Sequence, residues 1–274
     1  MYKKDVNRLG VYIMSDIHGC YDDLRSMLEK INFSDTDQLI MAGDYIDRGK
    51  QSYEILKWME QCPSNVLLLR GNHEEEFAAY VDLMRLLDRR EELKTDFDSN
   101  EDTAALYDSV KYFVRRGVLS ALYFDVYGTI RFLLEQNQTT MHDLCRWSAI
   151  IRQMPYYHKL MLENRTYIIV HAGYSEKLES ISARFDSLEQ FYLYAREESV
   201  QSGGVMHGTI IAGHTPTIVK ECFAYNDGNV FRFYDEQKDC IFYNIDCGCA
   251  FRNRQSNAKL ACIRLEDEKI FYII

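Results

Sequence analysis

The chain has 274 residues, 47% of them apolar, and a formal net charge of −10. That length and apolar share allow one large core, or one core plus a cap. The acidity argues against a nucleic-acid surface, which needs clustered Lys and Arg, and no apolar run approaches the roughly 18 residues of a membrane span.

The N-terminus, Met1-Tyr2-Lys3-Lys4-Asp5, is polar and has no signal-like segment. The eight cysteines have no regular spacing, and Cys247-Gly248-Cys249 is tighter than a zinc-type Cys-x-x-Cys. Mostly free, buried thiols in a reducing compartment, the cytoplasm, are the expectation.

In chain order, Leu9 to Met14 is a short apolar run, and Leu24, Met27, Leu28 and Ile31 then recur at helical spacing. Leu39 to Ala42 is a second run, followed by a helical stretch with Ile55, Leu56 and Met59, and Val66 to Leu69 is a third. This β-α-β-α-β order predicts a mostly parallel sheet with covering helices. Residues 77 to about 152 read as a helical insertion interrupted by an acidic loop from Asp88 to Asp102. From Pro155 onward strand signals return at 167–170, 209–212, 241–245, 260–265 and 270–274. They predict a second, mixed or antiparallel sheet packed on the first. Asn226-Asp227-Gly228-Asn229 reads as a hairpin turn between 223–225 and 230–231.

Five short blocks carry the chemistry: Asp16-Ile17-His18-Gly19, Gly43-Asp44-Tyr45-Ile46-Asp47-Arg48-Gly49, Gly71-Asn72-His73-Glu74, His171-Ala172-Gly173 and Gly213-His214-Thr215. Each places an oxygen donor or an imidazole beside glycine after a strand-like run. Asp16, Asp44 and Asn72 are evenly spaced, close to the length of a βαβ unit, which puts them at one sheet edge. Carboxylates mixed with imidazoles suit Mn, Fe or Zn better than Mg or Ca. Each block alone also fits a turn or a helix cap, but all five in this order point to a pair of metal ions ringed by two Asp, one Asn and three His. Two bound cations would also reconcile an acidic chain with an anionic phosphate substrate. His142, His158 and His207 lie in no such block and read as surface or core residues.

Rival phosphate motifs fail. Gly43 to Lys50 resembles a P-loop, but five residues separate its glycines and Gln51 stands where Ser or Thr is needed. No Cys has an Arg six positions later, and His73-Glu74 is not followed by a second zinc-binding His.

The blocks resemble those of the phosphoprotein phosphatase family of metallophosphoesterases, above all its bacterial and bacteriophage-lambda-like branch. The resemblance covers residues 10–76 and 153–265, and Leu69-Arg70-Gly71-Asn72-His73-Glu74 agrees with the family's third block throughout. It implies an α/β, calcineurin-like four-layer sandwich of two mixed sheets flanked by helices, a single domain over residues 1–274 with the insertion at about 77–152. It further implies two divalent cations, Mn2+ or else Fe or Zn. Asp16, His18 and Asp44 would bind one, and Asp44, Asn72, His171 and His214 the other. Arg48, Asn72 and Arg196 would contact the phosphate, and His73 would protonate the leaving oxygen while paired with Asp47. Arg196 rests on Tyr194-Ala195-Arg196-Glu197, where the family has Trp in place of Tyr194. Ser15 replaces the usual Gly before Asp16, and Asp246-Cys247-Gly248 resembles the family's closing Asp-x-Gly.

The expected substrate is phosphoserine or phosphothreonine in proteins, with phosphotyrosine or a small phosphoester as further candidates, and no nucleic acid or membrane. The alternative is a dinucleoside polyphosphate hydrolase. That related branch commonly lacks the Asp at position 47 and ends the third block in Asp, where this chain has Glu74. A non-catalytic binding module would have lost ligands, and none is missing.

Overall fold

A computed structural model describes residues 10–88, 99–115, 126–201, 205–219 and 226–274. Leu9, most of the acidic stretch and the 223–225 arm of the expected hairpin lie outside these residues.

Two five-stranded sheets lie face to face. The first contains β1 (Val11–Met14), β2 (Gln38–Met41), β3 (Val66–Leu68), β9 (Leu260–Arg264) and β10 (Lys269–Ile273), in the order β10-β9-β1-β2-β3. β1, β2 and β3 run parallel, connected by α1 (Tyr21–Lys30) and α2 (Ser52–Glu60), as the β-α-β-α-β pattern predicts. The second sheet holds β4 (Tyr157–Leu162), β5 (Arg165–Val170), β6 (Gly208–Ala212), β7 (Phe231–Asp235) and β8 (Cys240–Asn244), ordered β4-β5-β6-β8-β7. β5, β6 and β8 are parallel there, with antiparallel strands at both edges.

Strand alternation builds the layers. On β1, Ile13 faces the second sheet together with Ile40, Ile263, Ile169, Ile211 and Tyr243. Tyr12 and Met14 face the other way, into a core shared with the helices. On β5, Ile168 and Val170 point outward onto Phe191 and Tyr192 of α7 (Leu188–Tyr194). Helices, sheet, sheet and helix make four layers, which is the expected sandwich.

Two expectations change. The segments 260–265 and 270–274 join the first sheet rather than the second, with Ile13 paired to Ile263 antiparallel. Their apolar pattern marks them as strands but does not choose a partner. The expected acidic loop also ends early, because Asn100 already begins α4 (Asn100–Arg115).

The insertion is helical: α3 (Asn72–Leu87), α4, α5 (Val126–Asn137) and α6 (Met141–Gln153). Phe77, Tyr80, Val110, Leu133 and Trp147 are buried in the same core as Met14, Leu24 and Leu56. Trp147 also donates its indole N–H to Glu60 at the end of α2, at 2.7 Å.

A candidate dinuclear metal centre

Every candidate ligand lies beyond the C-terminal end of a parallel strand: Asp16 and His18 after β1, Asp44 after β2, Asn72 after β3, His171 after β5 and His214 after β6. The two sheets bring these ends to one edge, where open α/β sheets bind ligands. Backbone bonds link the loops, with Asp16 N–H donating to Gly43 O at 3.0 Å and Gly213 N–H to His171 O at 2.8 Å.

The loops turn sharply. Asp16, His18, Asp44, Asp47, Arg48 and His214 all have φ between +40° and +69°, which non-glycine residues rarely adopt. Such strain persists where surrounding contacts over-determine it, and it concentrates at functional sites. Glu74 supplies much of that restraint: its buried carboxylate accepts from Asp44 N–H and Tyr45 N–H, each at 2.8 Å, and from Gly71 N–H at 3.1 Å. Arg70 anchors the start of α3 through Glu75 at 2.8 Å and the carbonyl of Arg152 at 2.7 Å.

Six candidate ligands face one another in a buried cluster. His171 Nε2 lies 3.0 Å from Asn72 Oδ1, 3.1 Å from His214 Nδ1 and 3.3 Å from Asp44 Oδ1. The other ring nitrogen of His171 donates to Ala42 O at 2.9 Å, so Nε2 carries a bare lone pair. The same reasoning applies to His18. Its Nδ1 donates to Ile46 O at 3.0 Å, and its buried Nε2 has no hydrogen-bond partner among the described residues, lying 3.4 Å from Asp44 Oδ2 and 3.9 Å from Asp16 Oδ1. Bare imidazole nitrogens facing the two Asp44 oxygens repel them unless cations sit between, so the donor set fits two metal ions, one on each side of Asp44. Gly213 completes the fit, since a Cβ there would fall on the Asp16 carboxylate.

Protonation agrees. Burial holds the imidazoles of His18, His171 and His214 below the usual histidine range, which keeps them neutral as ligands require. Burial pushes Asp44 upward, but positive charge beside it, including that of His73 at 3.8 Å, outweighs this and holds its carboxyl below the usual range. Asp16 is raised by burial and by Asp246, which is itself raised to about 6 by burial. Among the described residues, Asp246 Oδ2 has no hydrogen-bond partner. A cation would relieve this carboxylate crowding.

Beside the cluster stands a second constellation. His73 Nδ1 and Asp47 Oδ2 are 2.6 Å apart, and His73 Nε2 lies 3.3 Å from Arg48 Nη2. Burial lowers the His73 pKa, but Asp44 and the hydrogen-bonded Asp47 overcome it and raise the value to about 9. His73 is thus held protonated at neutral pH in the metal-free cluster, unlike the three imidazoles beside it. Arg48 stacks over Phe251, its guanidinium carbon 5.3 Å from the ring centre, between two clefts. The first, about 610 Å³, holds Arg48, Arg196 and His214 with Ile218 and Val219. Arg196 also donates to Thr215 at 3.3 Å, so the structure brings it to the site despite Tyr194 in place of Trp. The second, about 680 Å³, is walled by Arg48, Lys50, Arg254 and part of α5.

His142, His158 and His207 lie away from this edge, on α6, on β4 and in an exposed pair with Asp239 at 3.1 Å. Sequence reasoning missed Thr129, whose hydroxyl donates to Asp47 Oδ1 from the insertion. No local motif marks it, because the contact joins residues 82 positions apart. Glu74 and Asp246 were visible within their motifs, but their places beneath the loops and beside Asp16 depend on the folded loops.

Comparison with known proteins agrees with this geometry. A calcineurin-like phosphoesterase family model matches residues 9–243. Curated relatives include symmetrical bis(5'-nucleosyl)-tetraphosphatases of Buchnera aphidicola, 42% identical, and Erwinia tasmaniensis, 40% identical, over 67 residues. Each match spans only 24% of this chain and 24% of the relative. Among solved structures, a metallophosphoesterase from Sphaerobacter thermophilus aligns with TM-score 0.51 and 12% identity, covering 98% of this chain and 89% of that one. A protein serine/threonine phosphatase from Saccharomyces cerevisiae aligns with TM-score 0.50 and 13% identity, covering 98% and 80%. These two likenesses concern the fold. With two facing mixed sheets and a metal-suited cluster at their common edge, the chain belongs to the calcineurin-like phosphoesterase family.

Proposed function

We propose that the protein uses two divalent cations, Mn2+ first and Fe or Zn as substitutes, to hydrolyse phosphoric anhydrides and esters, with dinucleoside polyphosphates as its main substrate class. One observation carries the reading: Arg48 stands beside the proton donor His73 with a cleft on each side. A phosphate held there has room for substituents in both directions. The names of the curated relatives support the same class.

In this reading Asp16, His18 and Asp44 hold one cation, and Asp44, Asn72, His171 and His214 the other. Bound cations of this kind lower the pKa of water so that hydroxide is available near neutral pH. Arg48 and Arg196 donate to the phosphoryl oxygens, where charge-assisted hydrogen bonds are strongest. His73 gives its proton from Nε2 to the departing oxygen, and Asp47 fixes the ring by holding Nδ1. The insertion acts as part of the same domain, a reading supported by its shared core. Free cysteines at 20, 62 and 145 support a reducing, cytoplasmic setting. No described helix is long and apolar enough to cross a membrane.

A second reading, phosphoserine or phosphothreonine in proteins, draws on the 2.6 Å Asp47–His73 contact. An alkoxide leaving group needs protonation far more than a nucleotide does. One panel decides between them: kcat/KM at fixed free Mn2+ for diadenosine tetraphosphate and for phosphoserine and phosphothreonine peptides. The first reading expects at least a ten-fold preference for the dinucleotide. A ten-fold preference for the peptides replaces it with the second.

A further inference from the structure

The cleft on the α5 side of Arg48 differs in charge from the rest of the molecule. The chain carries −10 overall, yet three of this cleft's lining residues are cations, Arg48, Lys50 and Arg254, and none is a carboxylate. Many of the basic side chains are paired, among them Arg70, Arg146, Arg152, Arg184 and Arg264. Lys50 and Arg254 have no ion-pair partner among the described residues. Two such cations gathered along one open cleft raise the local concentration of an anion.

The position of the cleft says which part of a substrate reaches it. Ser52 and Thr129 line it, and both bond Asp47: Ser52 Oγ accepts from Asp47 N–H at 3.1 Å, and Thr129 donates to the Asp47 carboxylate. The cleft therefore lies against Asp47, behind the Nδ1 end of His73, and Arg48 in its wall stands 3.3 Å from Nε2, the nitrogen that faces the departing oxygen. Arg196 and His214 line the opposite cleft.

We propose that Lys50 and Arg254 form a subsite for the departing group, and that this group is itself a phosphate chain, as in a nucleoside polyphosphate. The proposal rests on the dinucleoside polyphosphate reading and adds which residues hold which half. Water adds through its oxygen to the phosphorus held at Arg48 and gives up a proton to solvent, and the bond from that phosphorus to the bridging oxygen breaks. The bridging oxygen leaves with the electron pair and takes the His73 proton, and the remaining negative charge of the departing chain is met by Lys50 and Arg254. An ammonium and a guanidinium suit an extended anion of several phosphates better than a single one.

The test compares wild type with K50A/R254A and with K50R/R254K, which keeps both charges. Both side chains are exposed, and a thermal melt of each variant checks the fold. At fixed free Mn2+, the ratio of kcat/KM for diadenosine tetraphosphate to that for p-nitrophenyl phosphate should fall at least ten-fold in K50A/R254A. K50R/R254K should keep the ratio within about three-fold. A ratio unchanged within two-fold in K50A/R254A overturns the subsite.

A second arm needs no dinucleotide turnover. Inhibition of p-nitrophenyl phosphate hydrolysis by inorganic tripolyphosphate should be at least ten-fold tighter than by orthophosphate in wild type, and K50A/R254A should lose that advantage. Wild type that ignores diadenosine tetraphosphate removes the substrate reading, and the tripolyphosphate comparison then decides the cleft. Equal inhibition by the two anions in wild type overturns the subsite under either reading.

Discussion

Thr129 donates its hydroxyl to one oxygen of the Asp47 carboxylate, while His73 sits on the other at 2.6 Å. A helix from the insertion thereby reaches the carboxylate that pairs with His73. Thr129→Val removes that bond and frees the carboxylate to rotate. The expected result is roughly a ten-fold loss of kcat on an alkyl phosphate, about 1.4 kcal/mol, with KM unchanged and with Thr129→Ser restoring the rate. p-Nitrophenyl phosphate, whose leaving group departs without a proton, should lose less than two-fold. Equal losses on both substrates would assign Thr129 a structural role only.

His73→Asn separates proton donation from metal binding. It should keep two equivalents of metal and lose about 10²–10⁴ in kcat on alkyl phosphates, the usual range for acid catalysis. Metal analysis beside a series of leaving groups of rising pKa checks this. A His73→Asn enzyme with an unchanged dependence on leaving-group pKa would remove His73 from its role.

Gly213→Ala tests the packing of the metal cluster. The new Cβ falls on the Asp16 carboxylate, so the ligand must shift. The expected outcome is a folded protein with metal affinity weakened at least ten-fold, measured by equilibrium dialysis against Mn2+. Wild-type affinity would show that Asp16 is not a ligand.

The pH dependence of metal-free stability follows from Glu76. Its carboxyl, buried and bonded by Tyr194 at 3.3 Å, is raised to about 7, chiefly by burial. A carboxyl raised on folding binds more protons in the native state, so it favours the fold at low pH and loses that contribution as pH rises from about 4.5 to about 7. Glu76→Gln should flatten this part of the profile in urea unfolding, leaving the parallel contributions of Glu74 and Asp246. A Glu76→Gln slope equal to wild type over that window contradicts the assignment.

How much of this was readable in the chain depends on the range of each contact. Asp16, Asp44 and Asn72 stand at fixed distances after apolar runs, and strand-end chemistry is local, so the pattern exposed them. The swap of β9 and β10 into the first sheet was not readable, because Ile13 pairs with both Ile40 and Ile263 and nothing in those apolar residues encodes the choice. β4, at 157–162, alternates exposed and half-buried residues, including Lys159 among its apolar neighbours, and so gave no clear run. Thr129 is one of several threonines in the chain, and only the folded insertion brings it to Asp47. Short-range order marked the candidate ligands, and long-range packing decided what supports them.

The central claim is that the buried cluster of Asp16, His18, Asp44, Asn72, His171 and His214 is a two-metal hydrolytic centre. Its most direct test is titration of chelator-stripped protein with Mn2+ while p-nitrophenyl phosphate turnover and bound metal are followed together. The account predicts no turnover without metal, recovery that saturates at two equivalents per chain, and loss of both turnover and stoichiometry in Asp44→Asn. Full turnover in the stripped protein, or none with Mn2+, Fe2+, Zn2+ or Ni2+, would contradict it.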